Sequence, residues 1–178
     1  HYESTGSGQP LVLLHGWTMN GRFFKKNIDA LAANHQVITI DTRGHGRSSK
    51  ELIHLTMEQL GRDVATVLRT LDLHNVVLVG WSMGSLVVYN YLSQFGSERL
   101  AGFVEVDMSP YLLATADWPH AAFGNLTAES SLALQQQILT DRLGLTAAML
   151  PGVFAAESTP DAELMAWMAD QIVPVPDL

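Results

Sequence analysis

The residues best spaced for chemistry lie in Val76-Val77-Leu78-Val79-Gly80-Trp81-Ser82-Met83-Gly84-Ser85, an apolar run that ends in G-x-S-x-G and passes into a helix-like segment at 86–95. The pattern puts the Ser82 hydroxyl on a sharp strand-to-helix turn, where Gly80 and Gly84 leave the room that a strained backbone requires. A helix starting beyond Ser82 would aim its unpaired N–H groups and positive dipole end at chemistry there. The expected chemistry is nucleophilic attack on a carbonyl, with the developing oxyanion stabilised beside the helix start. Chance occurrence of a five-residue pattern is the alternative, and the strand before and helix after speak against it.

A second group stands upstream, where the buried-strand pattern of 11–14 runs into His15-Gly16-Trp17. An oxyanion site needs two N–H groups converging on one oxygen. The main-chain N–H of Met83, the residue after the nucleophile, supplies one, and that of Trp17 is the candidate for the other. His15 reads as a structural histidine whose ring bonds the loop backbone, because it precedes Ser82 against the usual chain order. A third group, Asp41-Thr42-Arg43-Gly44-His45-Gly46-Arg47-Ser48-Ser49, follows the strand-like 36–40 and is dense in turn formers. His45 could approach the pocket from here, although a turn role fits it better.

With H-G-W, D-T-R-G-H-G-R-S and G-W-S-M-G in this order, the chain resembles the α/β-hydrolase superfamily over about residues 2–110. The trio is specific for the fold and not for the substrate. Within the superfamily the chain looks most like the cofactor-free haloperoxidase and carboxylesterase branch, and its G-W-S-x-G is similar to that of pimeloyl-carrier-protein methyl ester esterases. The resemblance implies a serine hydrolase that cleaves a carboxylic ester through an acyl-enzyme on Ser82, with no metal or organic cofactor. Perhydrolysis by the same site, with peroxide replacing water, is the alternative; lactone and carbon–carbon bond hydrolysis stay open. Haloalkane dehalogenases and epoxide hydrolases need a carboxylate nucleophile, which Ser82 argues against.

The resemblance also implies a carboxylate and a histidine further along the chain. Asp107 qualifies as the acid, since some hydrolases of this fold place it after the strand that follows the elbow; a turn-forming Asp in D-M-S-P is the other reading. His120, the only histidine after Ser82, reads as a surface residue, and His35, His54 and His74 as solvated. Trp81, Trp118 and Phe123 are the candidate substrate-binding residues, with core packing as the alternative for each.

These residues must be positioned by alternating elements: strand 11–14, a helix within 22–33, strand 36–40, a helix 56–71 with Thr56 as N-cap, strand 76–79, helix 86–95 and strand 101–106. Such alternation implies a mostly parallel sheet with helices on both faces, and it puts Trp17, Ser82 and Asp107 at the carboxyl ends of strands, where sites of such sheets lie. The expected division is an α/β core over 1–110 and a helical cap or lid over 111–178. Cap helices are expected at 131–143, 147–156 and 161–172, broken by Pro151, Gly152 and Pro160. The family would continue with two further strands bearing the acid and histidine, so a parent protein of roughly 270 residues is expected.

Composition bounds the partners. The chain has 178 residues, 47% hydrophobic content, formal net charge −8 and no cysteine. It can bury a core, and it offers neither a disulfide nor a thiol nucleophile. An acidic chain without basic runs, zinc-like spacing or G-x-x-x-x-G-K argues against nucleic acid and nucleotides. No apolar stretch of about 18 residues suggests a membrane span, and a cytoplasmic location is the default expectation. The expected partner is a small-molecule ester. The contrasting reading is a scaffold that binds a ligand or partner without catalysis, its missing strands leaving an exposed sheet edge.

Overall fold

The computed structural model describes residues 1–51, 53–122 and 126–172. They form two compact units, His1–Met108 and a second from Ser109 on. The first is built on five strands, β1 (Tyr2–Thr5), β2 (Gln9–Leu14), β3 (His35–Ile40), β4 (Val76–Trp81) and β5 (Leu100–Val106). Their spatial order is β1-β3-β2-β4-β5; β1 runs antiparallel to β3, and all other pairings are parallel. The antiparallel edge strand β1 extends the alternating pattern read from the sequence.

Strand alternation sorts the core into two faces. Val12, Leu14, Ile38, Ile40, Val76 and Leu78 point to the side covered by α2 (Met57–Thr70) and α3 (Met83–Phe95), where Leu60, Val64, Leu68, Val87 and Tyr91 complete one cluster. Leu11, Leu13 and Val37 face α1 (Lys25–Ala32) with Phe24, Ile28 and Leu31. Each fully buried Leu, Ile or Val contributes about 1.5–3 kcal/mol through the water it leaves, so these clusters fix the order of the central strands.

The helix starts follow local chemistry. Thr56 caps α2, its hydroxyl accepting from the Gln59 N–H at 3.2 Å. Helix α3 begins at Met83, three residues ahead of the pattern-based start, because Gly84 and Ser85 continue the turn that Ser82 opens. At the sheet edge Tyr89 of α3 hydrogen-bonds Glu105 of β5, while Phe103, Val104 and Val106 of that strand are exposed.

The second unit is helical in α4 (Ala128–Met149) and α5 (Ala162–Ile172). Two expected helices need correction. The 131–143 segment belongs to α4, which starts at a Thr127–Ser130 capping box and runs to Met149 across a kink at Asp141. The expected 147–156 helix is reduced to a short 3-10 turn at Leu150–Val153, since Pro151 removes an N–H and Gly152 favours leaving the helix.

Gly61 offers a test of the packing between α2 and α3. A Cβ there would lie 3.0 Å from the Tyr91 main-chain nitrogen. Gly61→Ala is therefore expected to lower stability by about 1 kcal/mol in urea unfolding, overpacking outweighing the helix-propensity gain of similar size. A rise in stability would contradict this packing.

Candidate active site

Neighbouring strands β2 and β4 carry the two loops that matter, and their parallel register sets Leu14 opposite Gly80. Ser82, directly after β4, has φ 53° and ψ −118°, a conformation costing about 1–3 kcal/mol that only a well-determined surrounding can impose. That surrounding is visible. The Ser82 N–H donates to the Val106 carbonyl at 2.9 Å, the Ser85 N–H to the Ser82 carbonyl at 2.9 Å, and the Ser85 hydroxyl to the Gly80 carbonyl at 2.7 Å. A Cβ on Gly80 would lie 2.5 Å from the Ser85 nitrogen, and one on Gly84 would overlap the Leu14 carbonyl. Both glycines are sterically required.

Ser82 occupies the N-cap position of α3, yet its hydroxyl makes no capping hydrogen bond. Most serines at this position spend their oxygen on the helix. Here the backbone at positive φ turns the side chain away from that role. Met83, buried, is the first helical residue, so its N–H lacks an intrahelical acceptor and adds to the positive end of the helix dipole.

The β2 loop comes close to this turn: a Cβ on Gly16 would lie 3.4 Å from Ser82 Cβ and 3.7 Å from the Trp81 carbonyl oxygen. The loop is tightly wound. Met19 N–H donates to the Gly16 carbonyl at 3.2 Å, and Thr18, buried at φ 63°, donates its hydroxyl to the Trp17 carbonyl at 2.7 Å. Trp17 itself is half-buried.

His15 is fully buried, with Nδ1 2.8 Å from the Gly16 carbonyl and Nε2 accepting from the Thr42 N–H at 3.0 Å. A carbonyl only accepts and an amide N–H only donates, so His15 is neutral with its proton on Nδ1. Burial, reinforced by His45 at a ring separation of 5.2 Å, pushes its pKa down to about 3. Both nitrogens are engaged, so His15 is not a base for Ser82. The structural reading of this residue matches its surroundings.

The 41–49 loop braces that arrangement. Buried Asp41 accepts the Gly21 N–H at 2.8 Å and the Arg47 N–H at 2.8 Å, and Gly46 packs where any side chain would strike the carboxylate. Arg43 grips Asp63 of α2 through two 2.9 Å hydrogen bonds, a fork that holds the loop against the helix. His45 is buried, with Nδ1 3.0 Å from the Arg43 carbonyl. Sequence reasoning missed Asp41, Thr42 and Thr18 as supports of the site. The available signal was their place at or just beyond the carboxyl ends of β3 and β2, the functional end of a parallel sheet.

Asp107 follows Val106, the residue bonded to the Ser82 N–H; it is exposed with φ 53°, a conformation that Asp tolerates better than most residues. Trp81 projects to the α1 face, its ring 6.4 Å from those of both Phe23 and Phe24. It is half-buried, packed between these two rings and solvent. Trp118 lies in the second unit, its indole N–H donating to Ser109 Oγ at 3.1 Å and the His120 carbonyl at 2.9 Å. Phe123 lies outside the described residues. His120 is exposed and packs edge-on against Trp118. His74 is solvated beside Asp72, and His54 is exposed. His35 corrects the expectation of a solvated residue: it opens β3, where it pairs with Gln9 of β2, is half-buried, and its Nδ1 has no accessible surface. His35 and His74 lie at the opposite end of the sheet from Ser82, a strand length of about 20 Å away.

No group of three or more His, Cys, Asp or Glu fit to hold a metal occurs among the described residues, and none of their helices is long and apolar enough to cross a membrane. A family model described as alpha/beta hydrolase fold matches residues 9–150. The chain belongs to the α/β-hydrolase family. The chain is 42% identical over 121 residues to a Synechocystis protein provisionally named non-heme chloroperoxidase, a match covering 67% of this chain and 44% of the relative. It is 32% identical over 140 residues to a pimeloyl-[acyl-carrier protein] methyl ester esterase of Vibrio parahaemolyticus, covering 79% and 52%. The crystal structure of bromoperoxidase from Bacillus anthracis matches with a TM-score of 0.90 at 31% identity, over 99% of this chain and 64% of that one. The chain spans about half the length of the curated relatives it matches.

The histidine assignment is directly testable. In imidazole NMR spectra, His15 is expected to stay neutral from pH 8 to 5. A His15 that protonates in that range would contradict its burial and its bond from Thr42.

Proposed function

We propose that this chain carries the nucleophile and oxyanion site of a serine hydrolase acting on small or medium carboxylic esters. The observation that supports it best is Ser82, a serine held at positive φ on a helix start with its hydroxyl excluded from capping. In this reading a histidine other than His15 removes the Ser82 proton as Oγ attacks the ester carbonyl. The Met83 and Trp17 N–H groups take the charge on the carbonyl oxygen. Collapse of the tetrahedral species expels the alcohol, which recovers the proton from the histidine, and water then hydrolyses the acyl-enzyme. Asp107 is the proposed acid if the parent protein places it after this strand. Trp81 borders the acyl side, and Trp118 and Phe123 belong to a unit proposed to act as the lid.

Relatives named for chloroperoxidase and bromoperoxidase activity favour a second use of the same centre, in which hydrogen peroxide replaces water and releases a peracid. Both reactions require Ser82, which is what the test addresses.

In the protein that carries this chain, a fluorophosphonate is expected to add once, at Ser82, and p-nitrophenyl butyrate to be hydrolysed. Ser82→Ala is expected to abolish labelling and lower kcat by about 10^4-fold or more. Gly16→Ala, which places a methyl against Ser82, is expected to lower kcat about 10- to 100-fold with little loss of stability. Labelling elsewhere, or an active Ser82→Ala variant, would overturn the reading. Ser82-dependent peracid formation from acetate and hydrogen peroxide, measured against ester hydrolysis, separates the two uses.

A further inference from the structure

Consecutive residues of the 41–49 loop bond the segment that runs on from β2. Asp41 takes the Gly21 N–H at 2.8 Å, and Thr42 gives its N–H to His15 Nε2 at 3.0 Å. Thr42 is buried, and its hydroxyl lies 3.1 Å from His15 Nε2 and 3.3 Å from His45 Nδ1. The proton positions can be assigned. His45 Nδ1 stands 3.0 Å from the Arg43 carbonyl, which only accepts, so that nitrogen carries hydrogen and leans on the Thr42 oxygen as a second acceptor. The Thr42 hydroxyl proton is then directed to His15 Nε2. From there the chain continues through His15 Nδ1–H to the Gly16 carbonyl at 2.8 Å.

This directional chain, from His45 through Thr42 and His15, ends on Gly16, where an added Cβ would lie 3.4 Å from Ser82 Cβ. We propose that Thr42 is a positioning residue that holds the Gly16–Trp17 main chain at the distance from Ser82 which oxyanion stabilisation requires. The proposal rests on the hydrolase reading above. Thr42 touches neither substrate nor nucleophile; it acts through the ring of His15. The physical need is specific. A ring whose Nε2 keeps the Thr42 N–H but loses the hydroxyl is held less firmly; any tilt turns the Gly16 carbonyl, and the peptide N–H of Trp17 turns with it because both belong to one plane. Oxyanion donors tolerate little misplacement, since shifts of about 1 Å from changes away from the reacting atoms cost rates on the order of 100-fold.

The experiment uses the full protein that carries this chain, with Thr42→Val and Thr42→Ser variants assayed on p-nitrophenyl butyrate and histidine ring nitrogens observed by NMR. Thr42→Val keeps the shape and the N–H but deletes the hydroxyl; it is expected to lower kcat about 10- to 100-fold with KM within about twofold, and Thr42→Ser to recover most of that loss. The His15 Nε2 resonance is expected to move in the Val variant and not in the Ser variant. An active parent whose Thr42→Val kcat is unchanged, or whose Ser and Val variants fall equally, would overturn this proposal alone. An inactive parent that does not label at Ser82 would overturn it together with the hydrolase reading. Should Thr42→Val fail to fold, Thr42→Ala, which removes the same hydroxyl, is read in its place: a kcat below that of Thr42→Ser is expected, and a kcat equal to it overturns the proposal.

Discussion

The tightest constraint in the first unit is the contact between Gly84 and the Leu14 carbonyl, a place where not even a methyl group fits. It lets the first turn of α3 lie directly against the end of β2. Because β2 and β4 are paired neighbours, this approach brings the end of one strand and the start of the helix after the other to the same point. The Ser82 turn follows from it, since a helix that must begin so close to β2 leaves β4 no gentler exit. The unfavourable backbone at Ser82 is thus offset by the packing of Val87, Val88 and Tyr91 behind it.

Around that point the molecule uses main-chain donors and neutral rings where charged side chains would be expensive. His15 is uncharged because the Thr42 N–H occupies Nε2 and burial opposes a second proton. Asp41 is buried in the same region, and its carboxylate is met by the Gly21 and Arg47 N–H groups with the Arg47 guanidinium 3.6 Å away. Buried polar groups satisfied in this way make the two loops rigid, and a rigid loop is what fixed dipoles aimed at a developing charge require.

Much of this was legible in the sequence, for physical reasons. The alternating strands and the amphipathic 57–70 helix announce themselves because each buries one face, and Thr56 marks a helix start through its own hydroxyl. Ser82 stood out because a strained turn admits few residue types beside it. Asp41 and Thr42 were not legible as supports, because their role depends on β3 lying next to β2, a spatial order that no local pattern encodes. The burial of His45 was hidden for the same reason. In the helical unit, alanine-rich periodicity could not show that Asp141 kinks one long helix without ending it, or that Pro151 and Gly152 would leave a single 3-10 turn after Met149.

The α/β-hydrolase scaffold hosts several reactions, and the hydrolase reading of this chain rests on two parts that ester hydrolysis and perhydrolysis share: a hydroxyl to attack, and main-chain N–H groups to hold the charge that results. That reading requires the Met83 and Trp17 N–H groups to converge on one oxygen. The most direct measurement is a crystal structure of the parent protein with a phosphonate bonded to Ser82 Oγ. The phosphonyl oxygen is expected within hydrogen-bonding distance of both nitrogens, with the His15–Thr42 bond intact beneath them. An oxygen turned toward solvent, or held by side chains while both main-chain N–H groups point elsewhere, would contradict it.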